Sequence, residues 1–211
     1  MDKFTDRYEA GRILATYLND FAYLKDVIVL ALPRGGVPVA YEIASALSLP
    51  LDVFIVRKLG VPGHEEYAVG AIASGGTVFF NESMMRELNL EQGAIDRVLK
   101  TEQKELIRRE HLYRGNRPFP DLSGKTIILV DDGIATGATM YAAIEALRQY
   151  NPASIIIAVP VAAYSTCQGM ANLVDKIVCP LQPIEFHAVG LWYADFSQTS
   201  DKEVIELLKK S

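Results

Sequence analysis

Asp131 and Asp132 close a run of four apolar residues, Ile127, Ile128, Leu129 and Val130, and stand directly before Gly133-Ile134-Ala135-Thr136-Gly137-Ala138-Thr139. A buried strand that runs straight into two adjacent carboxylates sets like charges side by side, and something that binds both must offset their repulsion. The hydroxyls of a polyol, or a divalent cation nearby, would do so. The residues that follow supply hydroxyls, small side chains and unblocked backbone N–H groups at a helix start. There the donors and the positive end of the helix dipole favour a phosphate dianion. Sugar hydroxyls at the acid pair and a phosphate one turn further on describe a ribose 5-phosphate. The plainer alternative is an ordinary strand–turn–helix connection in which Asp132 or Thr136 only caps the helix. The coincidence of apolar tetrad, acid pair and Thr-Gly-x-Thr within residues 127–139 favours the ligand.

Three further groups could take part. Pro33-Arg34-Gly35-Gly36 follows the apolar run 27–32. Gly35 and Gly36 permit close backbone approach to an anion and Arg34 offers a fork of donors, although a tight turn explains the motif equally well. Arg57-Lys58-Leu59-Gly60-Val61-Pro62-Gly63-His64-Glu65-Glu66 comes after a second expected strand, 51–56, as a cationic loop or an exposed basic turn. Near the C-terminus Val189, Trp192 and Tyr193 lie in an aromatic stretch that either stacks on a flat heterocycle or closes the core.

The elements that must position these groups alternate along the chain. Asp6 with Glu9 starts a helix over 6–18 in the manner of a capping box. A strand over 27–32, a helix over 37–47 and a strand over 51–56 form one βαβ unit. Residues 68–73 and 77–80 flank Ser74-Gly75-Gly76 as a hairpin, and 90–113 has the spacing of an amphipathic helix with a solvated face. A second run follows: strand 126–130, helix 136–150, strand 154–159, helix 165–173, strand 176–179. Continuous β-branched runs indicate strands buried on both faces. The expected fold is therefore α/β, a central mostly parallel sheet with helices on both faces, in one domain over 1–211 with a helical insertion at 81–120. The acid pair then sits at the carboxyl edge of a central strand, where such sheets bind ligands.

Composition narrows the field. The 211 residues carry 21 Lys+Arg against 26 Asp+Glu, a net charge of -5, which argues against a polyanion held by overall charge, nucleic acid included. Cys167 and Cys179 are too few for a disulfide framework, and His64, His111 and His187 lack metal-ligand spacing. No apolar run approaches the ~18 residues of a membrane span and the start has no signal-peptide core, so a cytoplasmic protein is expected. Gly124-Lys125-Thr126 imitates the end of a Walker A motif, but Phe119 stands at its first glycine.

Residues 127–139 resemble the phosphoribosyl pyrophosphate (PRPP) loop of the type I phosphoribosyltransferases, and the similarity runs across most of the chain. The bacterial branch it resembles best shares Asp6-Arg7-x-x-Ala10-Gly11, the Pro-Arg-Gly-Gly turn and the C-terminal Ala-Val-Gly stretch. The resemblance implies a transferase that moves phosphoribosyl from PRPP to a nitrogen acceptor and releases pyrophosphate. It puts the ribose diol on Asp131 and Asp132, the 5-phosphate on Ala135, Thr136, Gly137, Ala138 and Thr139, and pyrophosphate on Arg34, Gly35 and Gly36, with a cis peptide around Arg34-Gly35. It makes Arg57, Lys58 and His64 catalytic residues of a loop that closes over pyrophosphate. It also forms a base pocket from Val189, Trp192 and Tyr193 in a hood at 180–211. Mg²⁺ is implied, held indirectly by Asp131 and Asp132 through ribose hydroxyls or water, as is a homodimer. Ala135 replaces the third carboxylate of the 6-oxopurine enzymes, and Ile134-Ala135-Thr136-Gly137 is closer to the orotate and adenine branches. A PRPP-binding sensor without catalysis is the rival from another class.

Overall fold

The computed structural model describes residues 3–61, 64–87 and 91–211. Five parallel strands form the central sheet in the order β2-β1-β6-β7-β8: β1 (Val27–Ala31), β2 (Leu51–Val53), β6 (Thr126–Val130), β7 (Ser154–Ala158) and β8 (Lys176–Val178). Every residue of β1 is buried, as are four of the five in β6 and in β7, which is why their sequences are apolar without alternation. Val27, Val29, Ala31, Ile128 and Val130 face one core, while Ile28, Leu30, Ile127 and Leu129 face the other.

Helices fill both cores. The first takes α1 (Arg7–Thr16), α2 (Gly36–Leu47) and α7 (Asp201–Lys210), and the second takes α5 (Ala138–Arg148) and α6 (Tyr164–Met170). Their starts are chemically marked: the Asp6 carboxylate accepts from Glu9 N–H at 2.8 Å, and Ser200 Oγ from Glu203 N–H at 3.1 Å. The expected helix over 6–18 is thus capped at Asp6 and ends two residues early, its last turn giving way at Tyr17.

The strand expected over 51–56 divides. The chain leaves the central sheet at Phe54 and Ile55, which go to opposite cores, and Ile55 exchanges hydrogen bonds with Ser74. A second, antiparallel sheet follows, β3 (Val56–Val61), β4 (His64–Ala73) and β5 (Thr77–Phe80), in that order. The 74–76 turn joins β4 to β5 as the hairpin reading requires. Of residues 57–66, expected as a closing loop, 57–61 and 64–66 are instead strand, and 62–63 lie outside the described residues. Arg57 pairs with Ile72 and Lys58 with Ala71, because β4 extends back to His64 and supplies a ladder partner.

Residues 81–120 contain α3 (Glu82–Glu87) and the long α4 (Gln92–Arg114), which packs Ile95, Leu106 and Tyr113 inward. Arg114, 5% exposed, ends α4 and anchors it: its Nε lies 3.2 and 3.1 Å from the two carboxylate oxygens of Asp52 on β2. It also donates to Val53 O at 2.9 Å and to Glu110 at 3.1 Å. Removing the guanidinium leaves the Asp52 charge buried without its partner. Arg114→Ala is therefore expected to lower unfolding free energy by about 3–5 kcal/mol, as urea denaturation would measure.

Candidate active site

Two loops meet where the strand order changes direction, between β1 and β6. From β1 the chain moves outward to β2, and from β6 it moves the opposite way to β7 and β8. Such a switch point leaves a crevice at the carboxyl ends of its strands. Here a cavity of about 250 Å³ is lined by Lys58, Asp131, residues 133–140 and Val189. Ala135, Thr136, Gly137, Ala138 and Thr139 all line it, and Thr136, Ala138 and Thr139 are exposed at the start of α5. Gly137 has φ +79°, a left-handed conformation that side-chain-bearing residues rarely take, and a Cβ there would lie 2.3 Å from Met170 Cε. Thr166 Oγ1 donates to Ala135 O at 2.8 Å, so α6 fixes the loop from behind.

The acid pair is divided between two environments. Asp131 stands at the cavity wall, with one carboxylate oxygen accepting from Asp132 N–H at 2.8 Å. Asp132 turns to Arg7, whose Nε is 2.8 Å from Asp132 Oδ2. Arg7 is 9% exposed, donates to Ser197 O at 2.7 Å and stacks its guanidinium 3.9 Å from the centre of the Phe196 ring. Burial pushes the Asp131 carboxyl well above the usual carboxylate range, and the neighbouring Asp132 charge adds to the rise. Burial also raises Asp132, but Arg7 opposes it, so the shared negative charge resides mainly on Asp132.

The Pro33-Arg34-Gly35-Gly36 turn packs against the back of this pair. A Cβ on Gly35 would sit 2.0 Å from Asp132 Oδ2, and one on Gly36 would sit 2.7 Å from Val130 O. These glycines are required by contact with the neighbouring loop. The cis peptide lies at Pro33–Arg34, one bond before Arg34-Gly35. Arg34 is outside the cavity lining, half-exposed, with Nη1 3.9 Å from Asp201 on α7.

The other expected residues separate. Lys58 reaches the cavity. Arg57 is held by Glu102 of α4, its Nε and Nη2 both 2.6 Å from Oε2. His64 opens β4 opposite Val61, and its side chain lies outside the described residues. Of Val189, Trp192 and Tyr193, Val189 lines the cavity, Tyr193 enters the core and Trp192, half-buried, packs against it. Tyr193 is 4% exposed and donates its hydroxyl to Asp132 O at 2.6 Å. Burial and the Asp132 charge push its phenol up, so it remains a donor. Trp192 stacks on Phe186 within a third apolar cluster with Phe4 and Tyr193. Within 180–211, the 3-10 turn Val189–Trp192 reaches the site, whereas α7 packs into the main core.

Arg7 and Tyr193 are the site residues that sequence reasoning missed as supports of the acid pair. Arg7 stood inside the Asp-Arg-x-x-Ala-Gly element, which was the available signal. The raised Asp131 carboxyl has a consequence for stability. The unfolded chain releases this proton near the ordinary value of 3.8, while the folded chain keeps it to higher pH. Between those values the native state binds more protons, so stability falls as pH rises through the window and the full cost is present above the folded pKa. Asp131→Asn removes that cost. The ligand-free variant is expected to melt at least about 2 °C above the parent at neutral pH, with the gap closing below about pH 4, in calorimetric scans across pH.

With this geometry in place, comparison with known proteins is specific. A family model for the phosphoribosyl transferase domain matches residues 6–188. A Mycobacterium tuberculosis protein named as a candidate phosphoribosyl transferase is 43% identical over 211 residues, all of this chain and 47% of its own length. The chain thus spans about half of that relative. The crystal structure of TT1426 from Thermus thermophilus superposes with TM-score 0.88 at 38% identity, over 99% of this chain and 98% of that one. The AQ2163 protein from Aquifex aeolicus, at 12% identity and TM-score 0.51 over 87% of this chain and 78% of its own, shares the fold. From the match over 6–188, which takes in the Arg7-supported acid pair and the loop at 133–140, it follows that this chain belongs to the phosphoribosyl transferase domain family.

Proposed function

We propose that the chain is a PRPP-dependent phosphoribosyltransferase of the cytoplasm, acting on a nitrogen acceptor of the nucleobase kind. The observation that carries this reading is the cavity at the β1–β6 switch point, where the Asp131 carboxylate and the 133–140 loop share one wall. The backbone donors of Ala135, Thr136, Gly137, Ala138 and Thr139 take the 5-phosphate at the α5 N-terminus. Asp131 accepts from the ribose hydroxyls, and Asp132, fixed by Arg7, completes the anionic side of the diol site. Lys58, at the cavity wall, faces the pyrophosphate, with the Arg34-Gly35-Gly36 turn beside the acid pair as its second anchor.

In the reaction a bond forms between the acceptor nitrogen and the anomeric carbon while the bond from that carbon to pyrophosphate oxygen breaks. Its electron pair leaves with pyrophosphate, and the acceptor N–H proton passes to solvent. The chain's contribution is to position the two reactants and to set Lys58 beside the charge that grows on the departing group.

Among the described residues no group of three or more His, Cys, Asp or Glu forms a metal cage. Asp131, the carboxyl at the cavity wall, would face Mg²⁺ indirectly, through ribose hydroxyls or water, and the ion would there supply neutralisation of leaving-group charge. The hood reading of 180–211 keeps support at Val189, and the helical insertion at 81–120 supplies a wall, α4, beside Lys58. Exposed Tyr164 and Ile184, brought together where Tyr164 N–H donates to Pro183 O, give apolar surface to a homodimer. Among the described residues no helix is long and apolar enough to cross a membrane.

Calorimetric titration with Mg-PRPP tests the reading. The parent chain is expected to bind, and Asp131→Asn to lose about 10–100-fold in affinity while remaining folded. Unchanged affinity would remove Asp131 from the diol site. Lys58→Ala separates catalysis from sensing: turnover should fall about tenfold or more beyond any loss of PRPP affinity, whereas a sensor would change in affinity alone. Absence of pyrophosphate release with every purine, pyrimidine and other nitrogen acceptor would make the chain a sensor.

A further inference from the structure

Cys167 and Cys179 take no part in the chemistry above, yet the fold brings the chain's two cysteines together. Between β7 and β8 the chain forms α6, which carries Cys167, and Cys179 is the first residue after β8. Both are thiols in the same apolar core cluster, 5% and 8% exposed. Their side chains contact each other, and Cys179 Sγ donates to Leu181 O at 3.2 Å, which fixes it at the strand end. The contact pulls the Cys167 thiol below its ordinary value and pushes Cys179 up, so thiolate character concentrates on Cys167. A more acidic thiol beside a second one is the arrangement in which a dithiol oxidises to a disulfide.

The neighbours of Cys167 hold the phosphate loop. Thr166 Oγ1 donates to Ala135 O at 2.8 Å, and Ala163 N–H, just before α6, to Ile134 O at 3.2 Å. Met170 closes on Gly137 so tightly that a Cβ there would lie 2.3 Å from its Cε. The seven-residue α6 is therefore a clip between the sulfur pair and residues 134–137, with Gln168 and Gly169 exposed on its outer side.

We propose that Cys167 and Cys179 are an oxidation site, at which a hydroperoxide forms an intramolecular disulfide that draws α6 off the phosphate loop and weakens PRPP binding. The consequence for PRPP rests on the functional reading above; the oxidation site itself does not. With hydrogen peroxide, the Cys167 thiolate sulfur attacks one oxygen and the O–O bond breaks. Its electron pair leaves on the other oxygen, which takes a proton and departs as water. The Cys179 sulfur then attacks the sulfenic sulfur: S–S forms, S–O breaks, and the hydroxyl leaves with the Cys179 proton as a second water. Two thiols lose two electrons and one peroxide gains them. The new bond is about 2.05 Å long, shorter than any contact between unbonded sulfurs. β8 is held in its ladder with β7, so the short surface helix is the partner that moves, and the packed interior passes the shift to Thr166 and Met170. A bridge of this kind suits a reducing compartment, where disulfides are transient and act as sensors.

The experiment treats the whole chain with hydrogen peroxide, unfolds it in iodoacetamide and weighs it. With two cysteines in the sequence the masses are unambiguous: the reduced chain gains two alkyl groups, and the oxidised chain should gain none and lose two hydrogens. Calorimetric Mg-PRPP affinity of the oxidised chain should fall about tenfold or more, and dithiothreitol should restore it. Cys167→Ala and Cys179→Ala, checked for folding by circular dichroism, should bind Mg-PRPP within about twofold of the reduced parent and ignore peroxide. Two alkylated cysteines after peroxide, a bridge between two chains, or oxidation to sulfinic acid overturns the oxidation site. A disulfide that leaves Mg-PRPP affinity unchanged, or a peroxide response that survives in either alanine variant, overturns its link to the phosphate loop. If the reduced parent does not bind Mg-PRPP, the functional reading falls, while the alkylation masses still decide the oxidation site.

Discussion

The ion pair between Arg7 and Asp132 is the constraint on which the rest of the site depends. It joins the first helix to the end of a central strand, 125 residues apart in sequence, at 2.8 Å and with both side chains largely buried. Breaking one side of such a pair costs about 3–5 kcal/mol, because the surviving charge stays in a poor dielectric. The geometry also has a directional effect. By holding the negative charge on Asp132, Arg7 leaves Asp131 as the carboxyl group that faces the cavity, protonated in the ligand-free fold. Tyr193 adds to this from the backbone side through its bond to Asp132 O, and Phe196 covers the guanidinium face. Two chain segments far from it in sequence, at residue 7 and at residues 193–196, therefore converge on one dipeptide.

The same dipeptide dictates the neighbouring turn. Asp132 Oδ2 would be 2.0 Å from a Cβ at Gly35, and Asp131 Cα would be 2.9 Å from one at Gly36. The turn after β1 and the loop after β6 are therefore interlocked, and neither can change residue size alone. A comparable demand acts on α1, where a Cβ at Gly11 would meet Val39 O at 2.5 Å. The Asp6-Arg7-x-x-Ala10-Gly11 element thus has a physical content at each position. Asp6 caps α1, Arg7 pairs with Asp132, Ala10 is buried in the third apolar cluster, and Gly11 lets α1 close on α2.

Much of this was legible in the amino-acid sequence where a local pattern carried it. The buried parallel strands are visible in 27–31, 126–130 and 154–158 because both faces are apolar, and the phosphate-type loop is visible because its residues are contiguous. What was not legible depends on partners distant in sequence. Arg57 looks like a free cation until Glu102, 45 residues later, is seen to hold it. Tyr193 and Trp192 look equally suited to a ligand face or a core, and only packing with Phe4 and Phe186 decides. Residues 57–61 look like a loop because Gly60 and two charges break the apolar run. They become strand because β4 offers a ladder from Ile72 back through Ala68.

One electrostatic argument connects the site's stability with its occupancy. Asp131 is costly to ionise in the ligand-free fold, since burial and the adjacent Asp132 act in the same direction, while Arg7 is committed to the neighbouring carboxylate. Local repacking cannot relieve this, because the turn behind the pair is already in contact at Gly35 and Gly36. Relief has to come from the open side, where the cavity admits donors to the carboxylate. A ligand that presents hydroxyl donors to Asp131 and phosphate acceptors to the 135–139 backbone satisfies both ends of the cavity at once. The free energy withheld from the empty fold is then returned on binding. A site of this kind discriminates strongly against a ligand lacking either group, because the acid or the backbone donors are then left unpaired.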